Sequence, residues 1–567
     1  MYWMLLKAAG TPVARKARAL AAEFRAQTHK AGEFQALRLQ ELIGRNADSQ
    51  FGRDHHFHEI KSTADFRRRV PIRGYDGHEP YIAKVRAGDL NALFGPKTDV
   101  LMFAMTSGTT AQPKTIPITR EALNNYREGW KIWGIQAFDG HPEMMRKGLK
   151  PILQLVSNWK EQYTPGGIPC GAITGLTAAM QNPLIRSSYC MPPVTMGIKD
   201  IEAKYYTALR LSIHRRVGAI MAANPSTLLG IVKLIDREKE TLIRDLRNGT
   251  LDERFQIPAD VRRALHRKIK KQRPEVAGHL EEIVQRTGRL LPKDYWPSLD
   301  FLANWTGGTM GAYLKQYPEH FGNLPVRDIG LIASEGRFTI PIHNGTPGGV
   351  LDIRRHYFEF IPEDQAHLEQ PETVEAVDLI EGRNYFILPT TASGLYRYQI
   401  HDLVRCTGFE GRAPVLEFLS KGAHISSLTG EKLSEFQVVS AVNAAVTGLG
   451  LPVSSYLLLP SWGDPPNYSL LIESRDLPNS NPASLERLSR SVDSELQLAN
   501  QEYENKRTTL RLGPVVTRLI TDGSWDEFKK RRLARSGGTA EQYKKPCLLP
   551  DLHALAEFRL VDGVGTS

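Results

Sequence analysis

The sequence is poor in cysteine and has no long apolar run. Its 567 residues include four cysteines, at positions 170, 190, 406 and 547, and no CxxC pair. Because this spacing suits neither a disulfide framework nor a zinc site, we expect buried thiols. No apolar stretch approaches the roughly 18 residues that a membrane span needs, and the opening MYWMLLKAAG is too short for a secretory signal. The sequence therefore predicts a cytoplasmic protein with no membrane partner.

Compositional bias is also missing. The chain is 41% hydrophobic and 24% charged, with 47 glycines and 35 prolines, which are ordinary globular values. No internal repeat is visible, which excludes a solenoid. The one unusual quantity is the formal net charge of +11, with an isoelectric point near 9.3. Such a charge is compatible with nucleic acid, an anionic membrane or an enzyme for anionic small molecules, and composition does not choose among them.

The apolar pattern predicts an α/β fold in the first part of the chain. Residues 98–105 form a buried strand by their continuous apolar run, and residues 114–119 form a second one. Thr119 stands where a helix N-cap is expected. Residues 199–290 are predicted to be mostly helical. Strand-like pieces with hairpin-sized gaps then fill residues 329–419 and indicate sheets with a small barrel-like part.

The pattern changes near Ser420. Beyond it we expect a helix over Ser434–Thr447, two strands, a polar helix over Pro482–Arg507 and a strand pair within Thr508–Ile520. This α+β set of about 145 residues is long enough to bury its own core. We therefore predict two domains, residues 1–420 and 421–567.

The segment TSGTTAQPK, residues 106–114, is the strongest candidate for binding chemistry. Hydroxyl and glycine positions cluster around Gly108 and end in Lys114. Backbone N–H groups and small hydroxyls of this kind can surround phosphate oxygens, while the lysine neutralises charge. The segment is not a Walker A loop, because its lysine opens a strand instead of a helix. A plain polar turn is the alternative explanation.

Three later segments extend the argument. Residues 304–313 (NWTGGTMGAY) form a glycine-dense turn that can line one wall of a nucleotide pocket. Glu335, in Ser334-Glu335-Gly336, is predicted at a strand end, where a carboxylate can hold Mg²⁺ against phosphates. Asp402 is predicted at the end of an aromatic strand (LYRYQIHDLVRCTGF), where a carboxylate can accept both ribose hydroxyls. Each segment is weak alone, and the order of all four makes coincidence improbable.

These motifs resemble the adenylate-forming superfamily, and within it the auxin-responsive acyl-acid amido synthetases, as a bacterial member. The segments that carry the resemblance span the chain: EPYIAKVRAGD, TSGTTAQPKTIP, GGTMGAY, ASEG, YFEF, YRYQIHD, SKGAHISSLTGEKLSE, NQEYENKR and EQYKKP. Two positions depart from the superfamily pattern. Ala111 stands where a glycine is usual, and His401 stands where a glycine often precedes the ribose aspartate.

The resemblance implies a role for each matched residue. For the triphosphate it implies Thr106, Ser107, Gly108, Thr109, Thr110 and Lys114. For the adenine and acyl side it implies Thr306, Gly307, Thr309, Met310, Gly311, Ala333 and Ser334. It implies Glu335 as the metal ligand, Tyr357 as a nucleotide contact and Asp402 as the ribose ligand. It implies Lys421 at the interdomain hinge and Lys544 as the lysine that reaches the adenylate from the small domain.

The resemblance also implies a fold and a reaction. The fold is a large N-terminal adenylate-forming domain with a smaller, mobile C-terminal lid domain. With ATP and Mg²⁺, the enzyme is expected to adenylate a small carboxylic acid and release pyrophosphate. It is then expected to transfer the acyl group to an amino acid and release AMP. The protein is expected to act as a monomer, with no nucleic-acid partner.

Three alternatives remain open at this point. An acyl-CoA or other thioester ligase shares the adenylation step, although NQEYENKR and EQYKKP favour the amido branch. A nucleic-acid-binding protein could use the basic runs at Arg262–Arg273 and Phe528–Arg535, for which a solvated helix face is the simpler explanation. A non-catalytic relative should have lost the phosphate-loop lysine or the two carboxylates, and all are present. The histidines at 55, 56 and 58 are expected in a surface loop and not at a metal.

Overall fold

The computed structural model describes residues 2–106, 114–146, 148–307, 310–365, 368, 370–421, 425–453, 455–536 and 546–561. The chain forms two compact units, and the boundary between them falls between Leu419 and Ser420. Among the described residues, no helix is both long enough and apolar enough to cross a membrane.

The helices of the large unit follow the predicted pattern of apolar residues. Thr119 caps one of them, because its hydroxyl accepts the N–H of Ala122 at 3.1 Å, which confirms the predicted N-cap. The helices are α1 (Tyr2–Thr28), α2 (Ala31–Arg45), α3 (Gln50–Asp54), α4 (Thr63–Arg69), α5 (Tyr75–Ala87), α6 (Arg120–Gly140), α7 (Ile173–Ala179), α8 (Pro183–Arg186), α9 (Ile201–Ser212), α10 (Pro225–Arg237), α11 (Lys239–Asn248), α12 (Ala259–Ile269), α13 (Pro274–Thr287), α14 (Pro292–Tyr295), α15 (Gly311–Leu314) and α16 (Tyr317–Phe321).

The strands of the large unit form three sheets and one separate hairpin. They are β1 (Val100–Thr106), β2 (Lys114–Thr119), β3 (Ile152–Gln154), β4 (Gln162–Tyr163), β5 (Pro169–Gly171), β6 (Ala219–Met221), β7 (Phe301–Ala303), β8 (Val326–Arg327), β9 (Ile332–Ala333), β10 (Gly336–Arg337), β11 (Thr339–Ile340), β12 (Gly349–Leu351), β13 (Tyr357–Pro362), β14 (Val374–Glu375), β15 (Asn384–Thr390), β16 (Asp402–Glu410) and β17 (Ala413–Lys421). The orders are β2-β1-β5-β4, β3-β6-β7-β8 and β11-β12-β17-β16-β15-β13-β14, with β9 and β10 as a separate hairpin.

The sheet β3-β6-β7-β8 is parallel. Its strand β6 interrupts a stretch that the sequence predicts to be mostly helical, because a three-residue apolar strand is indistinguishable by pattern from a buried helix segment. Helices α9 to α13 pack their apolar faces into one core beside this sheet, with Leu209, Leu246 and Leu280 fully buried. A second core lies around β1, β2 and the seven-stranded sheet.

The segment before Asp402 differs from the prediction. Residues 395–401 form irregular backbone with a bend at Arg397 and an isolated bridge from Tyr398 to Arg73, in place of an aromatic strand, and Asp402 is the first residue of β16. Two residues break the extended backbone, since Arg397 has φ of +42° and His401 has φ of +61°. A glycine adopts this left-handed conformation without strain. His401 must therefore be held in this conformation by its surroundings.

The small unit has its own core of apolar residues around a three-stranded sheet, β20-β21-β22. Strands β20 and β21 are antiparallel, whereas β21 and β22 are parallel. The elements are β18 (Ile425–Ser426), β19 (Leu433–Ser434), α17 (Glu435–Leu449), β20 (Tyr456–Ser461), β21 (Asn467–Glu473), α18 (Pro482–Ala499), α19 (Gln501–Thr508), β22 (Val516–Ile520) and α20 (Ser524–Ser536).

Two predictions in the small unit are wrong in detail. The polar helix is two helices, because Asn500 ends α18 and caps α19, where its side chain accepts the Tyr503 N–H at 2.9 Å. The predicted strand pair is the single strand β22. Leu510 has φ of +55°, and the Gly513 N–H donates to the Pro466 carbonyl at 2.7 Å, so this stretch is a turn that joins α19 to the sheet.

Candidate functional site

The predicted phosphate loop begins and ends on the β1–β2 hairpin. Thr106 and Lys114 are paired in the register of these antiparallel strands, so the two ends of the loop are neighbours. Ser107, Gly108, Thr109 and Thr110 lie outside the described residues. The Lys114 Nζ is 5.5 Å from the centre of the Tyr75 ring on α5. The lysine end of the loop therefore lies against that helix.

Helix α5 also holds the residue after Lys114. The Tyr75 hydroxyl accepts the Thr115 N–H at 3.1 Å. Arg86 donates through Nη1 to the Thr115 Oγ1 at 2.7 Å and forms an ion pair with Glu79 on the same helix. Side chains from both ends of α5 thus contact Thr115, the second residue of β2.

The glycine-dense turn after β7 is anchored by an aspartate. The Asp328 Oδ2 accepts both the N–H and the hydroxyl of Thr306 at 2.7 Å, and its Oδ1 accepts the Gly330 N–H at 2.6 Å. Burial raises the pKa of Asp328, and these donors oppose the shift. The Trp305 Nε1 donates to the Gly330 carbonyl at 3.0 Å. The turn is therefore fixed at the carboxyl end of a parallel strand, where α/β sheets bind ligands. The sequence argument missed Asp328, although its place directly after the strand β8 is a usable signal.

The same turn lies close to β17. A Cβ on Gly307 would be 2.9 Å from the Phe418 carbonyl oxygen, so a larger residue does not fit without movement. Thr309 lies outside the described residues. Met310 donates its N–H to the Gly307 carbonyl at 3.3 Å, and Gly311 begins α15.

Glu335 lies with Ser334 at the turn of the small β9–β10 hairpin, in which Ala333 pairs with Gly336. Its side chain is buried, and it makes no hydrogen bond or ion pair with any residue that the structure describes. The described residues contain no group of three or more histidine, cysteine, aspartate or glutamate side chains that could hold a metal. One carboxylate without a protein partner suits Mg²⁺, which takes one or two carboxylates and completes its shell with water and substrate phosphates. The donor set fits the implied metal.

Asp402 is buried at the start of β16. Burial raises the pKa of Tyr398 well above its usual value, and the charges of Glu335 and Asp402 raise it further. Glu335 and Asp402 thus both act electrostatically on Tyr398. The Lys114 end of the phosphate loop is placed separately, by the contact of Lys114 with the Tyr75 ring.

A buried ion pair holds the turn that precedes Asp402. Arg397 donates to Glu359 through Nε at 2.9 Å and through Nη2 at 3.2 Å, and Glu359 is fully buried. The Arg397 Nη1 also donates to the Val70 carbonyl at 2.9 Å, and Arg67 on α4 donates to Glu359 at 3.0 Å. The YFEF and YRYQIHD motifs are thus bound to each other, and this pairing explains the left-handed backbone at Arg397.

Tyr357 and the two predicted lysines are placed differently. The structure buries Tyr357 in β13, with its ring edge-on to Phe66 at 5.9 Å and its hydroxyl near Glu359. Burial and the charges of Glu359 and Glu375 raise the pKa of Tyr357, whereas burial and the charges of Glu335 and Asp402 raise the pKa of Tyr398. Lys421 is the last residue of β17. Lys544 lies outside the described residues.

The histidine cluster and one basic run have structural roles. His58 contacts Asp48 at 2.9 Å, and His55 stacks on Phe51 at 4.0 Å. In the basic run, Arg262 donates to three backbone carbonyls, those of Leu251, Asp252 and Phe255. These partners supply a packing role for the residues, independent of a metal or a nucleic acid.

Comparison with known proteins assigns the family. Residues 20–326 match the GH3 family N-terminal domain, residues 349–421 the GH3 family central domain and residues 436–553 the GH3 family C-terminal domain. A probable indole-3-acetic acid-amido synthetase GH3.4 of Oryza sativa subsp. japonica is 28% identical over 96% of this chain and 91% of its own length. Indole-3-acetic acid-amido synthetase GH3.3 of Arabidopsis thaliana is 24% identical over 90% of this chain and 88% of its own length.

Solved structures share the fold. The GH3.15 acyl acid amido synthetase has a TM-score of 0.65 and 20% identity, and it covers 96% of this chain and 98% of its own. Its complex with 2,4-DB has a TM-score of 0.66 and 21% identity, over 97% and 98% of the two chains. The mixed α/β fold with a large N-terminal and a smaller C-terminal part is confirmed. The relatives named here include plant proteins, so a bacterial origin stays a prediction. The chain belongs to the GH3 family.

Proposed function

We propose that this protein is an ATP-dependent ligase that joins a small carboxylic acid to an amino acid through an acyl-adenylate. Membership of the GH3 family and the names of its amido synthetase relatives support the bond type. The observation that carries the proposal is the antiparallel pairing of Thr106 with Lys114, which sets the two ends of the phosphate loop side by side with the lysine end against α5.

Each group of candidate site residues receives a proposed task. The triphosphate is assigned to the hairpin loop, from Thr106 through Ser107, Gly108, Thr109 and Thr110 to Lys114. The adenine and acyl side is assigned to Thr306, Gly307, Thr309, Met310, Gly311, Ala333 and Ser334. Asp402 accepts the ribose hydroxyls. Tyr357 keeps its assignment as a nucleotide contact only as a prediction, because its described neighbours are core residues.

Glu335 is the proposed ligand for Mg²⁺. When bound, the ion neutralises charge on the phosphate oxygens and fixes their orientation. The carboxylate makes no ion pair with a described residue, which supports this assignment, because Mg²⁺ takes one or two carboxylates together with phosphate oxygens.

Positioning and electrostatics account for the first step. The substrate carboxylate attacks the α-phosphorus of ATP, the bond to pyrophosphate breaks, and negative charge spreads over the phosphate oxygens. Loop N–H groups, Lys114 and Lys544 stabilise that charge, and the fixed turn at Thr306 orients the reactants. The small unit, residues 421–567, acts as a mobile lid that hinges at Lys421 and excludes water from the adenylate.

Acyl transfer is the second step. The neutral amine of an amino acid attacks the acyl carbonyl, the amide bond forms, and AMP leaves with the former carboxylate oxygen. Two protons leave the attacking ammonium group in all, so a base or a lowered amine pKa is required. A thioester-forming ligase differs only in this acceptor, which makes the acceptor the decisive measurement.

Pyrophosphate exchange with a panel of carboxylic acids tests the first step. We expect at least one acid to support exchange, and mass spectrometry of the full reaction to show an amide with an amino acid. A thioester formed with CoA in its place moves the protein to the alternative ligase class. A folded, ATP-binding protein that exchanges with no acid contradicts the proposal.

Two variants test the assigned residues. Glu335→Gln is expected to raise the Mg²⁺ concentration for half-maximal exchange at least about tenfold. Lys544→Ala is expected to slow adenylate formation strongly while ATP binding stays near the wild-type level, and Lys545→Ala is its matched control. Equal exchange rates in the two lysine variants contradict the role of Lys544.

The cellular setting is part of the proposal. We place the enzyme in the cytoplasm as a monomer, with neither a nucleic-acid nor a membrane partner. The four cysteines, all free thiols in the structure, support a reducing compartment. Gel filtration against the chain mass of 63.5 kDa tests the monomer, and salt-sensitive binding to random RNA would contradict the absence of a nucleic-acid partner.

A further inference from the structure

Helix α5 contacts two segments of the candidate site that are far apart in sequence. One side of it reaches the start of β2 at Thr115, and another reaches the turn that leads to Asp402. We propose that α5 sets the spacing between the phosphate loop and the ribose carboxylate, with Arg86 and His78 as the positioning residues for the two ends. This inference rests on the proposed function, since it takes the ribose role of Asp402 and the phosphate role of Lys114 as given.

His78 contacts the segment that leads to Asp402, the proposed ribose ligand. The His78 side chain is 1% exposed. Its Nδ1 lies 3.0 Å from the Gly74 carbonyl oxygen, and its Nε2 lies 3.1 Å from both the nitrogen and the carbonyl oxygen of Tyr396. With the ring proton on Nδ1, Nε2 accepts the Tyr396 N–H, and with the proton on Nε2 it donates to the Tyr396 carbonyl, so either tautomer bonds to Tyr396. Burial lowers the pKa of His78 to about 4, which keeps the ring neutral at physiological pH.

The hydrogen bond to Tyr396 fixes the start of a short, strained segment. Two residues later Tyr398 packs edge-on to the His78 ring at 5.6 Å, and its N–H donates to the Pro389 carbonyl at 3.0 Å. The left-handed His401 then turns the chain into Asp402. Because left-handed residues persist only where the surroundings determine them, a loosened Tyr396 shifts the carboxylate that follows.

Arg86 contacts Thr115, the residue that follows the phosphate loop and Lys114. Its Nη1 donates to the Thr115 Oγ1 at 2.7 Å and lies 3.4 Å from the Tyr75 hydroxyl, which in turn accepts the Thr115 N–H. Glu79 fixes the guanidinium from one side. The arrangement pins Thr115, the residue after Lys114, from both its backbone and its side chain.

Both sets of contacts belong to one helix. His78 and Arg86 are eight positions apart on α5, a rise of about 12 Å, and Pro80 lies between them. The C-terminus of α5 is closed by Gly88, which has φ of +109°. Tyr75, at the start of the helix, and Arg86, near its end, both bond to Thr115, so α5 is held to β2 from both of its ends. The helix therefore links the segment before Asp402 to the residue after Lys114.

Matched variants separate positioning from general stability. Asn at position 78 can reach the Gly74 carbonyl but loses the contact with Tyr396, whereas Gln can place its amide group near the Nε2 position, where Tyr396 offers both an N–H and a carbonyl. At position 86, Met removes every donor and Lys keeps the charge. The experiment therefore compares His78→Asn with His78→Gln, and Arg86→Met with Arg86→Lys, in the full-length enzyme.

Two readouts are measured in pyrophosphate exchange. The ribose readout is the ratio of kcat/KM for ATP to that for 2′-deoxy-ATP, with Asp402→Asn as the benchmark. The phosphate readout is the KM for pyrophosphate. We expect His78→Asn to reduce the ribose ratio about tenfold, the effect of one lost hydrogen bond, while His78→Gln keeps most of it. We expect Arg86→Met to raise the KM for pyrophosphate about fivefold to tenfold, with partial rescue by Arg86→Lys.

The outcomes are distinct. If His78→Asn and His78→Gln change the ribose ratio equally, or if every variant moves both readouts together, α5 acts only on stability and the inference is overturned. If Asp402→Asn lowers the ribose ratio but neither variant at 78 does, the inference fails while the proposed function stands. If Asp402→Asn itself leaves the ribose ratio unchanged, the ribose assignment falls and the inference falls with it.

Discussion

Replacing His356 with leucine should reduce the number of protons that the protein takes up when it unfolds in mild acid. The His356 ring is 2% exposed and packs edge-on to Phe338 at 5.5 Å and Phe358 at 5.8 Å. Burial lowers the pKa of His356 to about 3, and the charges of Arg38 and Arg355 lower it further. The folded protein therefore keeps this ring neutral where an unfolded histidine is charged.

The magnitude follows from the two pKa values. In the unfolded chain, with a pKa near 6.5, about 97% of His356 is protonated at pH 5, against about 1% in the folded state. Unfolding at pH 5 thus takes up about one proton at this position. The neutral ring's contribution to stability is fully present above pH 6.5. About 2 kcal/mol of it is lost by pH 5 and about 4 kcal/mol by pH 3.

Proton uptake is measured directly, by titrating the pH change when wild type and His356→Leu are unfolded in urea. This assay does not require two-state unfolding, which a chain with two compact units need not show. Buried carboxyls such as Asp352, whose pKa is raised, contribute equally to both proteins and cancel in the difference. We expect a difference of about one proton at pH 5 and about 0.1 at pH 7.5. Equal uptake at pH 5 would show that His356 is charged in the folded state and refute the reasoning.

Three further predictions concern stability. Arg397→Gln leaves the buried Glu359 without its main partner and should destabilise the large unit by about 3–5 kcal/mol, seen as a lower first midpoint in urea; an unchanged midpoint contradicts it. His401→Gly should melt no lower than wild type, whereas His401→Val should cost about 1–2 kcal/mol because a branched residue resists φ of +61°. Tyr503→Phe loses the 2.7 Å hydrogen bond to Asp493 and should destabilise only the small unit, by about 1.5–3 kcal/mol, resolved by calorimetry; a shift confined to the large unit would be inconsistent.

Local signals were sufficient for part of the fold. Thr119 was predicted as an N-cap from its own sequence neighbourhood, and its hydroxyl does accept the N–H three residues later. Gly249 ends α11 by a similarly local feature, since it has φ of +71° in the left-handed region. Such features depend on a few adjacent residues, so a short stretch of sequence is enough to predict them.

Features set by distant contacts escaped the sequence argument. LYRYQIHD has the composition of a strand, but Arg397 is drawn into a left-handed turn by Glu359, which lies 38 positions away. Asp328 also escaped it, because its role depends on hydrogen bonds to a turn 22 positions earlier. The residue types of the candidate site can be predicted from the sequence, whereas the hydrogen bonds that position those residues cannot.

The hydrogen bonds that hold the Arg397 side chain have a consequence for the order of folding. Arg397 donates to the carbonyl of Arg67, which is 330 positions earlier, while Arg67 reaches Glu359 across 292 positions. Contacts between such distant residues form late, because the loop-closure entropy must be overcome before they contribute. The turn before Asp402 can therefore take its final shape only after α4 has docked on β13. Nucleotide affinity should appear as one of the last events when the large unit folds, and it should report that the unit is complete.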